Sequence, residues 1–173
     1  AVSEDGSFYV SDGYGNSRIV KFSKEGKYLF EWGAFGDEKG QFNTPHGIDL
    51  DGKGNVYVAD RENNRIQKFD SKGNFIAVWQ NTITEQLYSV CVDKQADHLF
   101  GIDYTKKKRD GAKGSDIFRF DLETNLQVQF GRTGYYEGPV CRYHDIQIDD
   151  EGSIYTGDIL GNSVQKFQLI KKD

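Results

Sequence analysis

Two of the three histidines in this chain, His46 and His144, each stand 14 residues before an aspartate, Asp60 and Asp158. Imidazole serves as a base, a proton carrier or a metal ligand. A position that repeats points to the last of these, because three imidazoles and one open place make a catalytic zinc site. The plain alternative is a polar residue at a strand entrance, satisfied by backbone, and the equal offsets weigh against it. Counting back 14 from Asp103 gives Ser89 as the matching place in the copy between them. Two further residues could act beside such a metal. Tyr14 lies in "DGYGNSR" and Arg61 in "DRENNR". A tyrosine, ordinarily near pKa 10, becomes a base only beside strong positive charge. Arg61 would grip a substrate carboxylate, which a planar guanidinium suits better than an ammonium does. Taken singly, Tyr14 reads as a loop aromatic and Arg61 as an ion pair with Glu62. Arg18 and Arg65 read as structural, and His98 as a surface residue.

These residues sit in a repeat. "DGSFYVSDGYGNSRIVKFSKEGKYLFEWG" (Asp5–Gly33) and "DGKGNVYVADRENNRIQKFDSKGNFIAVW" (Asp51–Trp79) are the same unit. A degenerate copy runs over Ala96–Gly131 and a partial one over Asp150–Leu169. The anchoring aspartates, Asp12, Asp60, Asp103 and Asp158, are 48, 43 and 55 residues apart. Apolar residues alternate at period two between Gly/Asn turns, which predicts antiparallel hairpins. The second unit holds four such runs, "GIDLD", "NVYVAD", "RIQKF" and "FIAVW". Four-stranded meanders at this spacing are blades of a β-propeller. The expected fold is therefore all-β, with one propeller domain over 1–173 and blades near 1–33, 34–80, 81–131 and 132–173. The first unit lacks most of a first strand and the last lacks a fourth, as expected of about four blades of a six-bladed ring. In a meander the loop between strands two and three returns to the face where strand one begins. That places Tyr14 and Arg61 on the face of the two histidines.

Composition narrows the possibilities. A net charge of −5 argues against general nucleic-acid or membrane-surface binding. No apolar run is long enough to span a membrane, and no signal-peptide pattern opens the chain. Ten tyrosines, twelve phenylalanines and twenty glycines fit aromatic strands and tight turns. Cys91 and Cys141 flank strand entrances of adjacent units and read as buried thiols, although they could approach one another. "KKKRDGAKG" (Lys106–Gly114) reads as part of a solvated loop inserted in the third unit, and its glycine spacing is wrong for a phosphate loop.

The hydrophobic–Asp pairs ("VSD", "VAD", "GD"), the Asn before "SRI", "NRI" or "SV", and the following "KF" resemble the NHL-repeat propellers. More narrowly, "SDGYGNSRIVKFSKEGKYLFEWG", "GQFNTPHGIDL", "VADRENNRIQKF" and "HDIQI…EGSIYTGD" are similar to the lyase domain of the peptidylglycine α-amidating enzymes. The resemblance implies a six-bladed propeller with a central zinc held by three histidines, and a structural calcium. It implies cleavage of a peptide ending in α-hydroxyglycine to a peptide amide and glyoxylate. His46 and His144 match two zinc ligands, Tyr14 the proposed base, Arg61 an active-site arginine, and Asp145 a carboxylate associated with calcium. The third histidine and another arginine would lie upstream of Ala1. A hydroxylating monooxygenase, fused or separate, is the implied partner, and the secretory pathway or cell exterior the implied location. The chain departs from the family at "YH", where the family has "PH", and at Arg142, where an apolar residue usually stands. It also has Gly15, Tyr57 and Lys68 where the animal enzymes carry cysteines. The competing reading is a non-enzymatic NHL propeller serving as a protein-interaction scaffold.

Overall fold

The computed structural model describes residues 1–82, 85–109, 112–131 and 140–168. These form fifteen strands and no helix, so none is present that could cross a membrane. The first sheet joins β1 (Phe8–Asp12), β2 (Arg18–Phe22) and β3 (Tyr28–Trp32). The second joins β4 (Pro45–Leu50), β5 (Val56–Asp60), β6 (Arg65–Phe69) and β7 (Phe75–Gln80) in chain order. The third joins β8 (Gln86–Asp93), β9 (His98–Arg109), β11 (Asp116–Asp121) and β12 (Leu126–Gly131), with the short β10 (Ala112–Gly114) on β9. The fourth joins β13 (Tyr143–Ile148), β14 (Ile154–Asp158) and β15 (Ser163–Phe167). Within each sheet neighbouring strands are antiparallel. Four meandering sheets of this kind are propeller blades. In the first blade the inner strand is represented by a single bridge, Val2 to Phe8.

The turns explain themselves. Asp51, Asp70, Asp121 and Asp149 each accept backbone N–H bonds from residues two and four further on through one carboxylate oxygen. This side-chain mimic of a backbone turn closes each tight connection. The residue preceding the last donor has positive φ, which glycine supplies at Gly54, Gly73 and Gly152.

Three apolar clusters lie between successive blades. Tyr9, Ile19, Phe42, Val58 and Phe69 join the first to the second. Tyr57, Ile66, Leu87, Phe118 and Phe120 join the second to the third. Tyr88, Cys91, Ile117, Cys141 and Tyr143 join the third to the fourth, with both cysteines as buried free thiols. Hydrophobic burial is thus spent on blade-to-blade contact. Tyr57 and Lys68 also reach across to the third blade. The Tyr57 hydroxyl lies 2.9 Å from the Leu122 carbonyl, and Lys68 Nζ donates to the same oxygen at 2.7 Å.

The expected solvated loop in the third unit is corrected by the structure. The basic insertion continues β9 beyond its sheet and returns as β10, with Gly114 opposite Thr105 and Ala112 opposite Arg109. Alternate backbone pairing, available to any sequence without proline, outweighs the charge pattern there. Residues 110–111 lie outside the described residues.

Candidate active site

Asp60 and Asp158 each tie the entrance of an inner strand to their own blade. Asp60 accepts the Asn43 N–H at 2.8 Å and the Arg65 Nε–H at 2.8 Å. Asp158 accepts the Arg142 N–H at 2.9 Å, and Asp12 pairs with Arg18 at 2.9 Å. Arg18 and Arg65 therefore have the structural part expected of them. This tie fixes the register of the strand entrance: Pro45 faces Asp60, and Tyr143 faces Asp158.

Immediately after those partners each strand bulges. The register shifts between Pro45 and Ile48, between Tyr143 and Asp145, and between Leu87 and Ser89. A bulge re-aims the extra side chain. The residues that follow the aspartates' partners are His46, His144 and, since Leu87 faces Asp103, Tyr88. The count of 14 that pointed to Ser89 is thereby corrected, because the third unit is one residue longer between the strand entrance and its aspartate. Tyr88 holds the histidine position of the middle blade.

The three rings meet. His46 and His144 have centroids 4.9 Å apart at 79°, and Tyr88 lies 5.5 Å from the first and 5.4 Å from the second. Close backbone approach brings them there. A Cβ on Gly47 would come within 2.4 Å of Ser89 Cα, and one on Gly13 within 2.1 Å of the Pro45 carbonyl oxygen. His46 Nδ1 lies 2.8 Å from the Tyr88 carbonyl oxygen, which can only accept, so Nδ1 carries the proton and Nε2 the lone pair. The His46 carbonyl accepts a short bond from Ser11. Burial above all, with His144 and Arg61 adding to it, lowers the His46 pKa and keeps the ring neutral.

Tyr14 and Arg61 complete the cluster. The Tyr14 hydroxyl lies 3.3 Å from His46 Nε2 and accepts a 3.3 Å bond from Arg61 Nη1. The Arg61 guanidinium is 5.5 Å from the Tyr14 ring centre and 5.4 Å from that of Tyr88. It also pairs with Glu62 at 2.9 Å, and Gln86 donates to the same Glu62 oxygen. Asp145 accepts the Ser89 hydroxyl at 2.8 Å and its own neighbour's N–H at 2.9 Å. Ser89, buried, donates to that carboxylate and stands one residue past the histidine position. His98 is half-buried beside Phe100, away from the cluster. The sequence reading brought together four of the residues found here and missed Tyr88 and Gln86. Only a gapped comparison of "QLYSV" with "TPHGI" and "RYHDI" would have shown Tyr88.

Two imidazoles are donors that a zinc ion could use. Two imidazoles sharing a tetrahedral ion at about 2.1 Å would have ring centres roughly 5 Å apart. The pair here meets that spacing, and His46 presents the lone pair a ligand needs. Among the described residues no three His, Cys, Asp or Glu are grouped to hold a metal.

Blades so built, with residues 42–69 matching the NHL repeat, make the molecule an NHL-type β-propeller. Over 97% of its length it is 31% identical to the peptidyl-glycine alpha-amidating monooxygenase B of Xenopus laevis, of which it spans 20%. Over 98% of its length it is 28% identical to a probable peptidyl-alpha-hydroxyglycine alpha-amidating lyase of Caenorhabditis elegans, of which it spans 48%. The chain therefore covers half or less of these relatives. Among solved structures, a virginiamycin B lyase from Staphylococcus aureus superposes with a TM-score of 0.64 at 16% identity, over 99% of this chain and 55% of that one. That likeness concerns the fold alone.

Proposed function

We propose that the protein is a zinc-dependent lyase that cleaves peptidyl-α-hydroxyglycine to a peptide amide and glyoxylate. The observation that carries this reading is the convergence of His46, His144, Tyr14 and Arg61 on one mouth. Similarity over nearly the whole chain to a protein named as such a lyase supports it. His46 and His144 would hold the zinc together with donors beyond the described residues, and the ion would supply Lewis acidity toward the α-hydroxyl oxygen. Tyr14 takes the hydroxyl proton. The C–N bond then breaks, its electrons pass to the amide nitrogen, and the proton held by Tyr14 follows, leaving an aldehyde and a primary amide in balance. Arg61, donating to the phenol oxygen, holds it beside His46 Nε2. The Tyr88 carbonyl holds the His46 ring in its tautomer.

Asp145 and the Ser89 hydroxyl bonded to it would be two sources of oxygen ligands for the calcium. Calcium takes about six to eight, so a calcium ion on Asp145 would draw on further donors. A peptide substrate, a hydroxylating monooxygenase that supplies it, and a secretory or extracellular location belong to the same proposal.

The test uses the full-length protein and an N-acylated peptide ending in α-hydroxyglycine. Glyoxylate and peptide amide should appear in equal amounts, stop on chelation and resume with zinc. Release no faster than spontaneous decomposition would overturn the lyase reading. It would leave the scaffold reading, which the lack of a third ligand among the described residues favours.

A further inference from the structure

Arg142 is the residue at which the chain departs from the pattern it otherwise resembles, and it stands at the same mouth. Its guanidinium carbon is 5.0 Å from the centre of the Tyr88 ring and 5.0 Å from that of Tyr104. Tyr88 in turn touches both histidines. The guanidinium makes one hydrogen bond among the described residues, a short one to the Tyr88 hydroxyl, which donates onward to Gln86. Arg142 Nε is buried without a hydrogen-bond partner. A buried guanidinium N–H without an acceptor is costly, and native structures seldom leave one so without a use.

The arginines nearby are placed otherwise. Arg18, Arg61 and Arg65 are each paired with a carboxylate at 2.8 to 2.9 Å. Among the described residues no carboxylate pairs with Arg142. Arg119 shares that condition but lines the groove between the outer parts of blades three and four with Phe100 and Phe130. At the mouth, then, two guanidiniums flank one tyrosine ring, and only Arg61 is neutralised. Arg61 is occupied by Glu62 and by the Tyr14 oxygen. The cation with donors to spare is Arg142.

Resting on the lyase reading, we infer that Arg142 anchors the C-terminal carboxylate of the substrate, and that the site is selective for peptides ending in a free acid. The planar guanidinium is held flat by Tyr88 and Tyr104, so little freedom is lost when the anion binds. The guanidinium nitrogen Nη1, which neither bonds Tyr88 nor is buried, gives a charge-assisted hydrogen bond that neither an amide nor an ester would receive in full. The anchor also separates substrate from product: the peptide amide that leaves has no carboxylate, and the charge departs on glyoxylate. Arg61 is thereby released to the Tyr14 phenol.

The test compares wild type, Arg142→Leu, Arg142→Gln and Arg142→Lys in the full-length protein. Glutamine keeps a hydrogen bond to the Tyr88 hydroxyl without the charge, should leucine disturb folding. Two measurements are needed. The first is calorimetric binding of an unreactive N-acetyl dipeptide as its acid and as its C-terminal amide. The second is turnover of the α-hydroxyglycine peptide. Wild type should prefer the acid by roughly 10- to 100-fold, the worth of one hydrogen bond to a charged group. R142L and R142Q should lose that preference, with KM raised by a similar factor and kcat changed less than about threefold, while R142K keeps part of it. An acid preference that survives in folded R142Q, or that wild type lacks, would overturn the inference and leave the lyase reading intact. Wild type that prefers the acid but releases no glyoxylate would sink the lyase reading and leave the anion anchor standing.

Discussion

Tyr14 is 77% exposed, yet its oxygen lies 3.3 Å from both His46 Nε2 and Arg61 Nη1. A ring that buries so little does little for packing, so phenylalanine should leave the fold alone. If Tyr14 moves the proton, Tyr14→Phe should cut turnover by about 100-fold or more with the melting temperature unchanged. Undiminished turnover would take Tyr14 out of the mechanism. Asp103 is a contrasting case. Its sister carboxylates Asp12 and Asp60 meet arginines, but in the third blade the facing residue is Asp116. Burial pushes the Asp103 carboxyl well above the usual range, and the bonds from the Asp116 N–H and Asn81 only partly oppose this. A carboxyl raised in the folded state contributes fully below its unfolded pKa, about 3.9. The contribution is lost as pH rises through the raised value. Asp103→Asn should therefore melt about 3 °C or more above wild type at pH 8, with the gap closing toward pH 4. A gap that widens in acid would contradict the assignment. His46 and His144 could be read from their spacing because both their units keep the same count to the aspartate. Tyr88 could not, since one extra residue in its unit hides the correspondence.

The inner strands owe their function to bulges and to close contact. Gly47 lies where a Cβ would meet Ser89 Cα at 2.4 Å, and backbone cannot yield as a side-chain tip can. Gly47→Ala should part β4 from β8 and pull His46 Nδ1 from the Tyr88 carbonyl. The expected cost is about 1–3 kcal/mol, as for other overpacked sites, read from urea unfolding. A loss under about 0.5 kcal/mol would mean that the two strands are not in such contact. The strands themselves were legible from alternation and turn residues, β4 through β7 nearly to the residue. The hairpin of β9 and β10 was not, since a run of lysines and glycines carries no period of two.

Taken whole, the molecule is a row of blades joined by three apolar seams. The propeller could be recognised from the repeat alone, but its seams could not, because residues such as Tyr57 and Phe118 alternate like any strand residue and give no hint of which neighbour they meet. Among the described residues β15 has no outer neighbour, and Val164 on it is 73% exposed. The flank of the fourth blade around His144, Ile159 and Val164 is open. Unpaired edges and uncovered flanks invite association. The 173 residues made alone should therefore sediment as oligomers at micromolar concentration. A monodisperse monomer with one cooperative melt would show that these blades are sufficient to themselves.

β9 and β10 carry a last consequence. Thr105–Arg109 runs on past Tyr104, which pairs with Gln86 at the entrance of the inner strand, on the side where the histidines open. At strand rise those residues climb roughly 15 Å. The mouth is consequently a corner and not a dish, with a wall at its back on the third blade. A peptide seated by its terminus against Arg142 must trail its remaining length away from that wall, so the direction of approach is chosen by backbone before any side chain of the substrate is read.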